Sequence, residues 1–299
     1  MRICLITPRP GHPLLAATAA LLTPRHHVGW IDPGARHPVP SEPSLADVYL
    51  LKARTPRALA LARSFEERGA PVVNSAAATG FCQDRTAMAA LAESAGLPFA
   101  ATRTVGALRE LVAEAGLPYP LVVKSRHSRR HDLVARVDDA GALRALCASA
   151  EWADEPVVVQ PFTANSGWDH KVWVVAGQVF AALRRSELAD SGTDSTNGGT
   201  GHEPPRPSTR PANRPSALPP AVPLPLSELP GGWLDLVLRI GPVFALDVYG
   251  VDLIDAGDGA PLIVDINAFP GIRGQAGAPE ALAALALRTA TGGSPVLPR

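Results

Sequence analysis

The feature of this sequence that most constrains its fold is a series of short apolar segments separated by helical patterns. The first three of these segments are ICLIT, VGWI and DVYLL, which are flanked by Pro and Gly within the first 51 residues. A run that starts at Pro56 then repeats Ala and Leu at helical spacing. Apolar strands that alternate with helices are typical of a parallel sheet. The pattern therefore predicts an α/β lobe over residues 1–75.

The rest of the chain divides into two further lobes. Residues 76–160 contain a helix-rich stretch and then PLVVK, DLVAR, a helix from about Asp138, and VVVQPF. Residues 161–299 contain the strands KVWVV and VFAAL, a helix near 231–241, and a hairpin of VYGVDLID with PLIVDIN. Because the apolar bursts have strand length and the intervening patterns have helical spacing, we expect three cooperating α/β lobes.

The segment 190–230 differs in kind from the rest of the third lobe. It begins with DSGTDSTNGG, and ten prolines follow between residues 201 and 230. Such a composition buries too little apolar surface to offset the entropy lost on ordering, so we predict a mobile insertion. The insertion is either a lid over the site or a surface loop without a role, and the low entropic cost of a long loop favours the second.

The charge balance and the cysteines exclude several classes of protein. Lys plus Arg and Asp plus Glu each number 28, so no overall field attracts nucleic acid or an acidic membrane. The three cysteines are too far apart in sequence for a zinc site and odd in number for a disulfide framework. The apolar stretch 14–22 is much shorter than the ~20 residues of a membrane span. We therefore expect a cytoplasmic protein without an anchor or a signal peptide, and an anionic partner would be held locally.

Three oxygen ligands lie in the C-terminal hairpin. Asp265 and Asn267 are two residues apart, so they point to the same face of a strand, and an antiparallel partner strand carries Asp252. Carboxylate and amide oxygens without nearby His or Cys suit Mg²⁺ that also binds phosphate. The alternative is that these residues are only turn or edge charges, but polar groups inside so apolar a strand are costly. The pattern therefore predicts a metal site.

Cationic side chains follow the strand PLVV. Lys124 ends this strand, and as a lone residue it is equally well explained as a strand-end charge or as a phosphate ligand. The loop SRHSRRHD follows and places His127, Arg129, Arg130 and His131 together. These cations are either solvated loop charges or a clamp for phosphate oxygens of the kind that phosphoryl transfer requires.

Two other strand ends hold candidates for nucleotide and phosphoryl contacts. Gln160 and Phe162 end a buried strand, and the chain then passes through GWDHK at 167–171, where a nucleotide base can lie. Arg184 and Arg185 end the following strand pair. Adjacent residues of a strand face opposite ways, so we expect one of the two arginines to face a transferring phosphoryl group.

Taken in order, these residues resemble the ATP-grasp superfamily over residues 45–275, and two of its branches are similar to this chain. The branch of ribosomal-protein glutamate ligases and amino-group-carrier ligases has a lysine after an apolar strand, a Gly-x-Asp-x-Lys/Arg segment, an arginine after the next hairpin, and an acid-x-Asn-x-x-Pro-Gly end. The matching residues are Lys124, Gly167 to Lys171, Arg184 or Arg185, Asp252 and DINAFPG. The segment NSAAATGFCQDR also resembles these ligases, with Arg85 where they usually have lysine.

The branch of inositol trisphosphate and tetrakisphosphate kinases is similar to other parts of the chain. Its motifs resemble DVYLLK with Lys52, the pair Asp84 and Arg85, the triplet 130–132, and KVWVVAGQVFAALRRS, while DINAFPG matches both branches. This resemblance implies that Lys52, His131, Lys171 and Asn267 face the inositol phosphates and that Arg85, Lys124, residues 160–171 and Ser186 bind ATP.

The chain also departs from each branch. Asp169 follows the ligase pattern and not the kinase pattern. The glycine-rich phosphate lid of the ligases is replaced by arginines between Lys124 and His131, so backbone amides cannot cradle phosphate there as closely. Side-chain cations would take over that role, which favours an anionic second substrate.

The resemblance implies an α/β ATP-grasp fold of three lobes, with ATP between the central and C-terminal lobes. The implied Mg²⁺ ligands are Asp252, Asp265 and Asn267. The implied ATP contacts are Arg85, Lys124, Gln160, Phe162, Asp169, Lys171 and Ser186, and the implied catalytic residues are Arg184, Arg185, Lys171 and His131.

The two branches predict different acceptors for the γ-phosphoryl group. A carboxylate acceptor gives an acyl phosphate that an amine converts to an amide, whereas a hydroxyl acceptor gives a phosphate ester. The segment Gly167-x-Asp169-x-Lys171 favours the ligase, acting on an anionic small molecule or peptide, over the kinase. A third interpretation is that the protein binds nucleotide without catalysis and regulates a partner. The complete set of predicted metal ligands argues against it.

Overall fold

The computed structural model describes residues 1–35, 45–129, 131–189 and 221–292. In these residues the chain forms three sheets, each built from a separate stretch of sequence. Helices cover the sheets, so the predicted α/β class is confirmed. No helix in this described part of the chain combines the length and the apolar character that a membrane crossing needs.

The N-terminal sheet is parallel throughout and has the strand order β2-β1-β3-β4. Its strands are short and apolar, as the sequence predicted, and β3 is buried along its whole length. Helix α2 begins after Thr55, whose side chain accepts a hydrogen bond from the amide of Ala58 and so caps the helix. The elements are β1 (Arg2–Ile6), α1 (Pro13–Leu22), β2 (His27–Ile31), β3 (Val48–Leu51), α2 (Pro56–Glu67) and β4 (Val72–Val73).

Two helices and an antiparallel central sheet follow. Strands β6 and β8 lie at the centre of the order β5-β8-β6-β7. The sequence analysis missed β5 and α5, because the first has three residues and the second five. The elements are α3 (Ala76–Phe81), α4 (Arg85–Ser94), β5 (Arg103–Val105), α5 (Leu108–Val112), β6 (Leu121–Ser125), β7 (Val134–Val137), α6 (Ala140–Cys147) and β8 (Val157–Pro161).

The C-terminal sheet is antiparallel with the order β11-β10-β9-β12-β13. The predicted hairpin of β12 and β13 is present, and helix α7 packs on this sheet with Trp233 fully buried. The elements are β9 (Trp168–Val175), β10 (Gln178–Arg185), β11 (Val222–Pro223), a 3₁₀ turn (Leu226–Glu228), α7 (Trp233–Phe244), β12 (Val248–Asp255), β13 (Pro261–Ala268) and α8 (Ala278–Ala290).

The last ten residues of the predicted insertion at 190–230 contact the C-terminal sheet, and the mobility of the segment stays a prediction. Residues 190–220 lie outside the described part of the chain. Beyond them, Val222 pairs with Leu183, and the amide of Leu224 donates to the carbonyl of Ala181. The side chain of Leu229 is buried against α7 and the C-terminal sheet. This short stretch adds a strand to the edge of the sheet and buries a leucine there.

The C-terminal helix packs on the N-terminal sheet. Helix α8 contributes Leu282 and Leu285 to a core that also contains Ile3, Leu50 and Val248. Both leucines are essentially inaccessible to solvent. The N-terminal sheet and the C-terminal sheet therefore share one hydrophobic core, whose residues come from the beginning and from the end of the chain.

A buried asparagine joins the same two sheets by hydrogen bonds. Asn74 follows β4, and its Nδ2 donates to the carbonyl of Val248 at 2.7 Å. Its Oδ1 accepts from the amides of Asp247 and Val248 at 2.9 and 3.0 Å. One side chain thus satisfies three backbone groups where β12 begins.

We expect Asn74→Ala to lower the free energy of unfolding by about 2–4 kcal/mol, because it leaves buried amides and a carbonyl without partners. Urea denaturation followed by circular dichroism measures the change. Ser94→Ala is the control, since it removes an exposed hydrogen bond within α4 and should change stability by less than about 0.5 kcal/mol. Equal stability of the two variants would contradict a structural role for Asn74.

Candidate active site

A cleft of about 320 Å³ lies between the central and C-terminal sheets. It is lined by residues from β6 and β8 on one side and from β9, β10, β12 and β13 on the other. Most of the predicted site residues line it: Arg85, Lys124, Gln160, Phe162, Asp169, Lys171, Arg184, Ser186, Asp252, Asp265 and Asn267.

A row of charged side chains crosses three strands of the cleft floor. Asp252 on β12 is paired in register with Lys171 on β9 and with Asp265 on β13. The Nζ of Lys171 lies 2.6 Å from the Oδ2 of Asp252 and 3.8 Å from the Oδ2 of Asp169. Side chains opposite each other on neighbouring strands share a face, and the register therefore brings these charges together.

A bulge in β13 determines which side chains face the cleft. The register shifts between Asp252 and Leu253, so Val264 has no partner on β12. An extra residue in a strand reverses the alternation of side chains beyond it. Both Leu262 and Val264 before this point, and Asp265 and Asn267 after it, consequently line the cleft. The bulge places an apolar wall and a polar ligand set on one face.

Lys124 connects the two sheets at this bulge. Its Nζ donates to the carbonyl of Val264 at 2.9 Å, and the side chain is 6% exposed. Burial lowers the pKa of Lys124 to about 8, although the nearby carboxylate of Asp265 opposes this shift. A buried ammonium with one carbonyl partner retains two donors for an anion in the cleft.

Arg85 is held rigidly at the start of α4. Its Nη1 donates to the carbonyl of Ser125 at 2.8 Å and to Asp132 at 2.7 Å, while Nη2 lies 3.5 Å from Asp265. Burial alone would lower the pKa of Arg85, but the carboxylates of Asp265 and Asp132 outweigh burial and raise it. The guanidinium therefore stays charged in a buried position at the edge of the cleft.

The oxygen donors fit a Mg²⁺ ion that also binds phosphate. Within the described ranges no group of three or more His, Cys, Asp and Glu side chains could hold a metal by itself. The cleft lining includes the carboxylates of Asp252 and Asp265 and the amide oxygen of Asn267, which accepts a long bond of 3.4 Å from Arg54. Two carboxylates with an amide and phosphate oxygens are the hard ligand set that Mg²⁺ prefers.

One end of the cleft is suited to a nucleobase. Gln160 is buried and donates from Nε2 to Thr102 at 2.9 Å, and the guanidinium of Arg136 lies 4.0 Å from the centre of the Phe162 ring. Val122, Val134, Ile254, Leu262 and Val264 form apolar walls. The sequence analysis did not single out these aliphatic residues, because strand-end apolar side chains occur throughout such a sheet.

The two adjacent arginines of β10 face opposite ways. Arg184 is opposite Asp169 in register, and its Nη2 lies 3.8 Å from Asp169 and 3.5 Å from Glu187. Arg185 is exposed and its guanidinium lies 5.2 Å from the ring of Trp168. Strand alternation therefore brings Arg184 to the cleft and excludes Arg185 from its lining.

The structure does not bring His131 to the cleft either. His131 is exposed, has a φ of 60°, and lies in the loop between β6 and β7. In the same loop Arg126 is paired with Asp84 at 2.7 Å and Arg129 with Glu155 at 2.5 Å, while Arg130 lies outside the described residues. Neighbouring carboxylates thus already pair with two arginines of this loop, of which Arg129 was expected to clamp phosphate.

Arg54 is a cleft residue that the sequence analysis missed. It follows β3 of the N-terminal sheet and reaches the cleft beside Asn267. A position just after the carboxyl end of a parallel strand is where such sheets bind ligands, and this signal could have identified it.

Known structures share this fold. A RimK domain ATP-grasp protein from Sphaerobacter thermophilus superposes with a TM-score of 0.68 at 22% identity, covering 96% of this chain and 100% of the other. D-alanine–D-alanine ligase from Bacillus anthracis gives 0.68 at 16% identity, covering 98% and 100%. The ATP-grasp ligase PsnB, in complex with a phosphomimetic variant of a minimal precursor, Mg and ADP, gives 0.62 at 18% identity, covering 96% and 98%. The predicted ATP-grasp fold is confirmed.

A family comparison gives a second finding. No curated protein matches the chain significantly in sequence. The sequence profile of the inositol 1,3,4-trisphosphate 5/6-kinase ATP-grasp domain matches residues 99–284, which is more than half of the chain and includes the whole C-terminal sheet. The protein is thus an ATP-dependent enzyme, and its chain belongs to the family of the inositol 1,3,4-trisphosphate 5/6-kinase ATP-grasp domain.

Proposed function

We propose that the protein is a carboxylate–amine ligase that uses Mg²⁺ and ATP and forms an acyl phosphate. The observation that carries this proposal is Asp169, which follows the ligase pattern and not the kinase pattern and lies in the cleft 3.8 Å from both Lys171 and Arg184. The row of Lys171, Asp252 and Asp265 beside it is common to both branches and lies in the same cleft. His131, which the kinase resemblance assigns to the acceptor, lies outside the cleft lining.

In this proposal the buried cations bind and orient the phosphates of ATP. Lys124 and Arg85 neutralise oxygens of the α- and β-phosphates, and Gln160 and Phe162 contact the base. Asp252, Asp265 and Asn267 would hold Mg²⁺, which would supply positive charge that stabilises the phosphate oxygens. Ser186 lines the same cleft, so its hydroxyl is available to a phosphate or ribose oxygen.

Arg184 and Lys171 stabilise the charge that develops on the transferred group. A carboxylate oxygen of the acceptor forms a bond to the γ-phosphorus, the bond to the bridging oxygen breaks, and ADP leaves. The nitrogen of an amine then forms a bond to the acyl carbon. The bond from carbon to the phosphate oxygen breaks, inorganic phosphate leaves, and the amine loses its proton to solvent.

The second candidate function is a kinase that phosphorylates a hydroxyl group, and the family match favours it. Both candidates share the first half of the reaction and differ in the acceptor. An acceptor of the ligase is a small acid or a peptide, in keeping with the precursor named for PsnB.

We also propose a cytoplasmic location and no nucleic-acid partner, on the basis of three free cysteines and a formal net charge of zero.

The destination of the γ-phosphoryl group tests the proposal. We expect γ-labelled ATP with a pool of acids and hydroxylamine to give free labelled phosphate and a hydroxamate, because hydroxylamine traps an acyl phosphate. A parallel pool of polyols and inositol phosphates is the control. Label retained on a hydroxyl compound would overturn the ligase proposal and establish the kinase.

We expect Asp265→Asn to remove the Mg²⁺-dependent part of ADP binding and to lower turnover at least 100-fold, since it deletes a charged oxygen ligand. Isothermal titration of ADP with and without Mg²⁺ measures this, with folding checked by circular dichroism. Asp258→Asn, in the exposed turn between β12 and β13, should behave like the wild type. Unaltered Mg²⁺ dependence in Asp265→Asn would exclude this residue as a ligand.

The affinity for ADP without Mg²⁺ should fall as the pH rises above about 8. Lys124 is protonated below its pKa of about 8 and binds phosphate only in that form, so the dissociation constant should rise toward tenfold per pH unit. Titrations between pH 7 and 9.5 measure this dependence. Lys124→Met should bind weakly without a pH trend, whereas Lys52→Met should keep it, although the pKa of Lys52 is also about 8. A flat wild-type profile would contradict the role of Lys124.

A further inference from the structure

A chain of two hydrogen bonds lies at the end of the cleft that is suited to a nucleobase. The Nε2 of Gln160 donates to the hydroxyl of Thr102 at 2.9 Å. That hydroxyl donates in turn to the carbonyl of Ala100 at 2.7 Å. Gln160 and Ala100 line the cleft, whereas Thr102 does not. The chain therefore connects a side chain of the cleft to a hydroxyl outside its lining.

The carbonyl at the end of this chain determines the orientation of the Gln160 amide. A backbone carbonyl can only accept, so the single hydroxyl proton of Thr102 is used on Ala100. The hydroxyl oxygen is then available to Gln160 only as an acceptor, and the amide must turn its NH2 group toward it. The two ends of a glutamine amide are alike in shape, so a partner of this kind is what distinguishes the two orientations. Thr102 consequently turns the Oε1 of Gln160 away from itself.

This Oε1 is an acceptor without a donor on the cleft side of the sheet. Gln160 is opposite Val122 in register, both side chains line the cleft, and Gln160 is only 3% exposed. Within the part of the chain that the structure describes, no hydrogen bond uses the Oε1 of Gln160. A nearly buried acceptor without a partner is costly, so a ligand that donates a hydrogen bond is favoured there.

Both ends of the hydrogen-bond chain are fixed by sheets. Gln160 belongs to β8 of the central sheet. The amide of Ala100 donates to the carbonyl of Ile263 in β13 at 2.9 Å, and the amide of Ile263 donates to the carbonyl of Pro98 at 2.8 Å. The two neighbours of Ile263 along β13 belong to the apolar walls of the cleft. The orientation of the amide is thus set relative to the walls that would enclose a base.

We propose that Thr102 is a positioning residue that makes the cleft select a purine nucleotide with an amino group at position 6. The amino group of adenine donates a hydrogen bond to the Oε1 of Gln160. A purine with an oxo group at position 6 presents a second acceptor to this oxygen, and a purine with hydrogen there presents no donor. The inference rests on the placement of the base in the proposed function and adds to it the residue that determines base selection.

The nucleotide preference of the full-length protein in the presence of Mg²⁺ tests the proposal. Isothermal titrations compare ADP with IDP, which has the oxo group, and with purine riboside diphosphate, which has hydrogen at position 6. We expect ADP to bind at least about tenfold more tightly than either, because both leave the Oε1 of Gln160 without a donor.

Variants of Thr102 separate positioning from a purely structural role. Thr102→Val replaces the hydroxyl by a methyl group, so the amide is free to turn its NH2 group toward an oxo group. We expect the preference for ADP over IDP to fall about fivefold or more, equally in Thr102→Ala, and to return in Thr102→Ser. A structural role alone would change both dissociation constants by the same factor.

Thr104→Val is the matched control. Thr104 is an exposed threonine of β5 whose hydroxyl lies 2.7 Å from that of Thr86, outside the cleft lining. This variant should keep the wild-type preference. Circular dichroism checks the folding of every variant.

A double-mutant cycle tests whether Thr102 acts through Gln160. Gln160→Leu removes the acceptor and should abolish the preference for ADP over IDP. Adding Thr102→Val to this variant should then leave the ratio of the two dissociation constants unchanged.

Three results would overturn the inference: equal affinity of the wild type for ADP and IDP, an equal effect of Thr102→Val on both nucleotides, or a further change of the ratio in the double variant. Failure of the ligase proposal is distinguishable, because it appears as label on a hydroxyl compound and leaves base selection unaltered.

Discussion

The bulge at Val264 is the local constraint on which the geometry of the cleft depends. Without the extra residue, Leu262 and Val264 would share a face with Ile266, and Asp265 would point to the opposite side of the sheet. The bulge lets one strand supply both an apolar wall and the two oxygen-bearing side chains of Asp265 and Asn267. The carbonyl of Val264, freed from the ladder, accepts the hydrogen bond of Lys124. The same irregularity therefore also ties the central sheet to the C-terminal sheet.

Around this bulge, charged side chains of the cleft are paired with side chains of opposite charge. Lys171 is paired with Asp252, Arg85 with Asp132 and Asp265, and Arg184 with Asp169. Each pairing offsets the cost of burying an ion, and removal of one partner would leave the other unpaired. A nucleotide with its metal brings charges of both signs, so cations and carboxylates can exchange partners without a net charge being buried.

Residues that follow strand alternation could be predicted from the sequence. The pairing of Asp252 with Asp265, and the separation of Arg184 from Arg185, follow from the period of two along a strand. Strand alternation could not identify Arg54 as a cleft residue, because its distance to Asn267 depends on how the N-terminal sheet packs against β13. Its position after the carboxyl end of β3 was the only signal in the sequence. His131 resembled a motif, but a loop with a positive φ directs its side chain by backbone geometry that no motif encodes.

The shared core of α8 and the N-terminal sheet also bears on how the chain acquires its structure during synthesis. Ile3, Leu14 and Leu50 need Leu282 and Leu285 to complete their packing, so the face of the first sheet that α1 covers only in part stays incompletely packed until more than 200 further residues have been made. At about 5–20 residues per second, that exposure lasts on the order of tens of seconds. During this interval apolar side chains of the first sheet remain exposed to solvent, so the N-terminal lobe completes its core only after the C-terminal helix has been made.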